Sequence, residues 1–305
     1  MIPLALPGIE PYQHRLEARA EISFALREGI TRLNRSLAEP PLQVQRALYL
    51  DDSSPEMAFL FLLNPTPGIF QGDVQRINVQ AGPGTRAHLT TPSATKVYAM
   101  PDWPALQCLE LSLEVGSYLE YLPEPLIPFQ GARLVQRTTV KQSTGSVLVI
   151  GEVVLPGRTA SGENFAFHLL DRRLTVTGAA GEPLIHEASI LTPSESSPLG
   201  ISVLKSDFPV TGSLLIVAPD QKLYGLSEQL QQRLLATEAG VDAPKVGMTE
   251  LPNGAGLALK VLSKASRRAR AIMRESAEIV RQHFLRAKPP LSANWSEIYH
   301  PLVGR

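Results

Sequence analysis

Five carboxylates stand where an acid has either a cost or a purpose: Asp73, Glu120, Glu124, Glu152 and Glu163. Asp73 closes residues 64–73, NPTPGIFQGD, where Pro65, Pro67, Gly68 and Gly72 crowd together. Proline fixes φ and glycine permits positive φ, so this string specifies a bend, and a carboxylate there either caps turn N–H groups or faces a ligand. Glu120 and Glu124 flank Leu122-Pro123, and Glu163 closes the string GRTASGE. Glu152 interrupts the apolar run VLVIGEVVL at 147–155. Desolvating a lone carboxylate costs several kcal/mol, so Glu152 needs a partner or a task. Arg158 is the nearest candidate partner in sequence; the competing reading is a carboxylate lining a polar passage for a hard or borderline cation. Glu120 with Glu124, or Glu152 with Glu163, could alternatively act as acid and base in a β-helical enzyme working on polysaccharide.

Other reactive types are isolated. Lys96 and Tyr98 lie two apart and share one face of a strand, which suits packing or surface roles as well as chemistry. The six histidines are scattered with no pair at i, i+2 or i, i+4, so no tight transition-metal site is encoded locally; His168 is either an ordinary satisfied histidine or one distant ligand. The phosphate loop GxxxxGK[ST] is absent, as are GxSxG, HExxH and CxxC. The single cysteine, Cys108, excludes an intrachain disulfide framework and fits a reducing cytosol. Lysine plus arginine equals aspartate plus glutamate at 29 each, which argues against nucleic-acid binding by the whole chain. The N-terminus lacks the basic and apolar pattern of a secretory signal, and no run reaches the ~20 apolar residues of a membrane span. A cytoplasmic location is the expectation.

The elements that must position these groups are mostly strands. Residues 57–63, MAFLFLL, read as a strand buried on both faces. Residues 106–115 alternate, with Leu109, Leu111, Leu113 and Val115 on one face and Glu110, Ser112 and Glu114 on the other, Gln107 being out of pattern. Phe165, Phe167 and Leu169 alternate likewise. Gly82-Pro83-Gly84, Gly116-Ser117 and residues 143–145 punctuate the runs, which indicates a large all-β body. No fixed sequence repeat is visible. The tail differs. Residues 226–239 suggest a helix with Leu226, Leu230, Leu234 and Leu235 on one side. Residues 257–285 contain the strongest helical stripe, Leu262, Ala265, Ala269, Ile272, Met273, Val280 and Phe284. Its opposite face carries Lys264, Arg267, Arg268, Arg270, Arg274 and Arg281, ahead of Lys288-Pro289-Pro290. Arg267, Arg270 and Arg274, with Trp295 and Tyr299 beyond, are candidates for binding a partner.

Four blocks together resemble the urease accessory protein D family (UreD, also called UreH): NPTPGIFQGD, then TTPSATKVY at 90–98, YLEYLPEPLIPF at 118–129 and EVVLPGRTASGE at 152–163. They occur in the family's order. Pro67 stands where the family's first block usually has glycine. The resemblance marks Pro67, Gly68, Gly72, Thr95, Lys96, Tyr98, Pro123, Pro125, Gly157, Arg158 and Gly162 as motif positions. It implies a single domain over 1–305: a β body at about 15–215, a helical region at about 222–288 and an irregular tail at 289–305. The implied fold is all-β dominated, an elongated β-helical stack of sheets with a C-terminal pair of α-helices. The implied role is a non-catalytic scaffold that joins UreF and the GTPase UreG, docks on apo-urease and helps nickel enter the urease active site, with a homodimeric arrangement inside that complex left open. No tightly bound cofactor is implied. Nickel passes transiently, with Asp73, Glu120, Glu124, Glu152, Glu163 and His168 as candidates for its route. Truncation after Gly256 is expected to remove partner binding while sparing the β signal.

Overall fold

The structure, a computed structural model, describes residues 16–193, 207–219, 223–235 and 242–285. Among the described residues, seventeen strands and two α-helices follow in order: β1 (Glu17–Arg27), β2 (Ile30–Ala38), β3 (Gln43–Val44), β4 (Ala58–Leu63), β5 (Val74–Ala81), β6 (Arg86–Thr90), β7 (Thr95–Val97), β8 (Ala105–Leu113), β9 (Tyr118–Tyr121), β10 (Leu126–Pro128), β11 (Arg133–Gln142), β12 (Val147–Val154), β13 (Leu169–Thr177), β14 (Pro183–Leu191), β15 (Val210–Val217), α1 (Tyr224–Leu235), β16 (Lys245–Glu250), β17 (Gly256–Ser263) and α2 (Ser266–Leu285).

From β4 to β13 consecutive strands do not pair; the chain alternates between sheets, and hairpin-like pairs occur only outside that stretch, at β1–β2, β3–β4, β13–β14 and β16–β17. β1, β5, β8, β11 and β13 lie side by side in parallel, with β2 and β14 antiparallel at the edges. Opposite them β4, β6, β9 and β12 run parallel, extended antiparallel by β15, β17 and β16 on one side and by β3 on the other. The short β7 and β10 pair in parallel and close a third side. The chain therefore winds as a β-solenoid. Gly84, Gly116 and Gly145 hold φ of 63°, 66° and 68° at the corners between the two large sheets, a region that a residue with a Cβ occupies only under strain. These are three of the turn signals read from the sequence.

Three apolar clusters hold the coil. Inward side chains of both sheets meet in the interior, among them Ile77, Val79, Leu109, Leu111, Leu89 and Leu148. A second cluster lies between the outer face of the β12–β15–β17 sheet and the two helices. A third fills the short side around Ile69, Val97, Leu126 and Phe167. β4 shows why the run at 57–63 is unbroken. Leu60 and Leu62 point into the interior and Phe59 points toward the helices, so neither face meets water.

Three element readings need correction. Residues 256–263 form β17 and not the start of a helix, so Leu262 is a strand residue and Ala265 precedes α2. Ladder pairing to β15 and β16 on both sides overrides the helical spacing there. The C-terminal region is consequently two helices separated by two strands. Val115 is 60% exposed in the turn after β8 and does not share the buried face of Leu109, Leu111 and Leu113. Phe165 and Phe167 lie in a loop, with Phe165 at φ 52°, and their burial comes from the third cluster rather than from strand alternation. In α1 the side chains of Leu226, Leu230 and Leu234 are buried as the spacing predicts; residues 236–239 lie outside the described residues.

Candidate functional site

A cavity of about 500 Å³ runs through the solenoid interior. It is lined near the N-terminal coils by Asn64, Thr66, Pro67 and Gly68, and near the C-terminal coils by Glu187, Ser213 and Lys260. Along its wall the inward positions are glutamine where apolar residues otherwise prevail. Gln107 Nε2 donates to Gln75 Oε1 at 3.0 Å, and Gln136 Nε2 donates to Gln107 Oε1 at 2.8 Å. These residues stand 32 and 29 apart in sequence, one coil each. Gln136 Oε1 and Arg172 Nε are buried without a protein hydrogen-bond partner among the described residues, and both residues line the cavity. Buried polar atoms are ordinarily satisfied, so the cavity presents polar groups to whatever occupies it. Sequence reading missed this ladder. Its signal was Gln107, the residue out of pattern in β8.

Glu124 and Glu152 reach this cavity; Asp73, Glu120, Glu163 and His168 are not among its lining residues. Glu152 pairs with Arg172 of the neighbouring coil, which corrects the Arg158 pairing expected from proximity in sequence. Arg158 instead grips Glu163, with Nε to Oε2 at 3.0 Å, and Glu163 also accepts from the Gln130 N–H at 3.1 Å. That pairing, offset by some desolvation, keeps the Glu163 carboxyl below its usual range. Asp73 accepts from the Phe70 N–H at 2.9 Å, a turn cap; burial pushes its carboxyl up and that hydrogen bond pulls it back. His168 is exposed on the outside of the coil.

The β9–β12 ladder runs from Tyr118–Val147 to Tyr121–Ile150, and β12 is next paired by β10 at Leu126–Val154. Residues 122–125 leave the sheet, and Pro123 and Pro125 have no N–H to give to it. In this gap the cavity meets a smaller one of about 60 Å³ beneath α2, both being lined by Pro123, Glu124, Gly151 and Glu152. Glu124 is held there by Arg270 and Arg274 of α2. Two of the arginines expected to meet a partner thus have an intramolecular acid. Trp295 and Tyr299 lie outside the described residues.

Arg281 departs furthest from expectation. It was placed on the solvent face of the last helix, yet it is 4% exposed. Its Nη2 donates to Glu120 Oε2 at 2.6 Å and its Nη1 to Asp51 Oδ2 at 2.9 Å, with the Phe59 ring 5.5 Å away. Glu120 also accepts from the Tyr118 hydroxyl at 2.7 Å and lies 2.6 Å from His88 Nδ1. Helical spacing alone could not reveal this, because the acids that draw Arg281 inward come from β9 and from the loop before β4.

The motif blocks converge on the third side. Phe70 stacks on Tyr98 at 4.6 Å, Tyr98 meets Phe129 edge-on at 4.9 Å, and the Arg158 guanidinium sits 4.3 Å from the Phe129 ring. Each coil contributes one member. A Cβ on Gly68 would lie 2.4 Å from the Lys96 carbonyl oxygen, so position 68 needs glycine, while position 67 accommodates proline. Gly72 and Gly162 turn at φ 76° and 81°, and Gly157 at 140°. Thr95 donates its N–H to the Pro125 carbonyl at 2.9 Å. The blocks are therefore the stacked corner of successive coils.

Each acid proposed for glycosidic chemistry has its own arginine: Glu120 with Arg281, Glu124 with Arg270 and Arg274, Glu152 with Arg172, Glu163 with Arg158. Glu124 and Glu152 line the cavity while Glu120 and Glu163 do not, so neither suggested pair faces a shared groove, the arrangement that hydrolysis of a glycoside needs. The fold is a coiled β scaffold whose interior and corner acids are held by arginines. The sequence profile of the family described as UreD urease accessory protein matches residues 16–296. "Urease accessory protein UreD 3" of Methylorubrum populi is 32% identical, with 94% of this chain and 93% of that protein covered. "Urease accessory protein UreD 2" of Streptomyces griseus is 34% identical over 79% and 81% of the two chains, and "Urease accessory protein UreD" of Haloarcula marismortui is 33% identical over 88% of each. The chain belongs to the UreD family of urease accessory proteins. It is a maturation factor rather than a catalyst. Among the described residues no helix is long and apolar enough to cross a membrane.

Proposed function

We propose that this protein is the scaffold that carries nickel toward apo-urease in the cytoplasm, within a complex containing UreF and the GTPase UreG. The observation that carries this reading is the interior cavity with its ladder of Gln75, Gln107 and Gln136 and its paired Glu152 and Arg172. A transfer protein must release its cargo. Amide oxygens and a carboxylate already engaged by arginine bind nickel weakly, whereas a cluster of thiolates and imidazoles would retain it. Among the described residues no group of three or more His, Cys, Asp or Glu is arranged to hold a metal ion. Nickel is cargo here, and the cavity supplies a succession of weak oxygen ligands.

The test is urease activation with cavity variants. Gln107→Leu and Glu152→Gln should fold normally and still assemble with UreF and UreG, while the urease produced contains less nickel and is less active. Full nickel content in both variants, alone and combined, would remove the passage. Loss of complex formation would instead assign these residues a structural role.

A further inference from the structure

The outward face of the β1–β5–β8–β11–β13 sheet carries a pattern that the passage does not use. Ala18, Ala20, Ile77, Val79, Leu109 and Leu111 point into the interior, so their neighbours along each strand point out. Register then places Arg19 beside Arg76, Arg76 beside Cys108, Cys108 beside Arg137, and Arg137 beside Arg173. Four arginines form one row across the sheet, each strand about 4.8 Å from the next.

Acids flank this row and do not enter it. Glu21 and Glu110 lie one step along the strands, Glu17 and Asp171 one step back. Glu21 pairs with Arg19 and Arg35, Glu17 with Arg76 at 2.8 Å, and Asp171 with Arg137 at 2.7 Å and Arg173 at 3.3 Å. Five guanidiniums thus pair with three carboxylates, and Glu110 adds a fourth negative charge near Arg76, leaving a small positive excess. Arg137 is largely engaged, its Nη1 donating to the Gln136 carbonyl as well as to Asp171; a guanidinium has more N–H donors than one carboxylate can accept, so the donors left for a ligand belong chiefly to Arg19 and Arg173. Arg19 and Arg173 keep 55% and 46% of their side-chain surface in solvent. The flanking acids hold the guanidinium planes in place, which reduces the ordering cost of binding. Both helices pack on the other sheet, and no described helix covers this face.

We infer that this face docks a helix of a partner protein that presents a single file of carboxylates along the arginine row. Acids three or four residues apart on a helix advance about 4.5–6 Å, close to the strand spacing. The flanking acid rows stand about 6.6 Å to either side. They repel a broad polyanion such as duplex DNA or an anionic bilayer and leave room for one narrow acidic stripe. The choice of candidate partners rests on the urease-maturation reading; the face itself does not.

The test compares the full chain with Arg19→Glu/Arg173→Glu and with Arg19→Lys/Arg173→Lys. Both sites are solvent-facing, and a thermal melt checks that each variant folds. The probes are purified apo-urease, UreF, UreG, a short duplex DNA and phosphatidylserine vesicles, at low and high salt. One protein should bind the parent chain at least about tenfold more tightly than the glutamate variant, and salt should narrow the gap. The lysine variant, which keeps charge but loses the fork, should fall between the two. Equal binding of all three proteins by parent and glutamate variant overturns the docking face, as does tighter binding of DNA or vesicles than of any protein. If the parent binds equally and still activates urease, only the docking face falls. A parent chain that binds none of the proteins and fails to activate urease overturns both readings.

Discussion

At the residue scale the decisive group is Arg281, which carries a full charge into a site 4% exposed and is matched there by Glu120 and Asp51. Burial by itself pushes the Glu120 carboxyl up, but Arg281 and His88 more than reverse this and hold it at about 2. The folded value lies below the ordinary 4.5. The stability it contributes is therefore fully present above about 4.5 and is lost as the pH falls toward about 2. Calorimetric melts across that range should show the parent losing stability with a steeper slope than Glu120→Gln. An identical slope in both would show that Glu120 does not govern the acid limb. Near neutral pH, Glu120→Gln should be the less stable by about 3 kcal/mol, because it leaves a buried guanidinium short of a countercharge.

At the element scale two glycines separate two kinds of close approach. At Gly68 an added Cβ would meet the Lys96 carbonyl oxygen at 2.4 Å, a backbone atom fixed by the β7–β10 corner. At Gly151 it would meet the ends of Leu122, Leu214 and Met273 at 2.8–2.9 Å, side chains that can turn aside. Gly68→Ala should therefore cost more than Gly151→Ala, which belongs with overpacking changes of about 1–3 kcal/mol. Chemical denaturation of both variants checks the order. The position of β17 also changes the truncation expected from sequence. A stop after Gly256 removes a strand that pairs β15 on one side and β16 on the other, together with α2. It should unfold the second sheet. A stop after Leu285 keeps every described element and isolates the contribution of Trp295 and Tyr299. Retained UreF pull-down by that shorter chain would remove those aromatics from the interface.

At the scale of the whole molecule the solenoid presents different polar chemistry inside and out. The interior offers amide oxygens and arginine-paired carboxylates, and the outer face of one sheet offers guanidiniums in register. The proposed transfer role carries a prediction of weak nickel binding. Calorimetric titration should give a dissociation constant on the order of 1 μM or weaker, and stoichiometric nanomolar binding would contradict the transfer role. Charge balance over the chain, 29 cations against 29 anions, cannot reveal this division, because composition does not record which charges register brings into one row.

The sequence by itself determined the β-rich body, several of its strands and corners, and the family. Apolar runs and alternation are local records of burial, and the turn glycines are local records of φ, so β4, β8, β12 and the corners at Gly84, Gly116 and Gly145 could be read without a fold. The helical stripe Ala269, Ile272, Met273 and Val280 was equally plain. Tertiary structure alone decided which charge met which. Glu152 found Arg172 and left Arg158 to Glu163, Arg281 turned inward to Glu120 and Asp51, and Gln75, Gln107 and Gln136 became a ladder. The coil places in contact residues about one turn apart in sequence, and the turn length varies from coil to coil, 32 residues in one step and 29 in the next. A repeat of variable length leaves no fixed period to detect, and ion pairs across it form only once the coils have stacked.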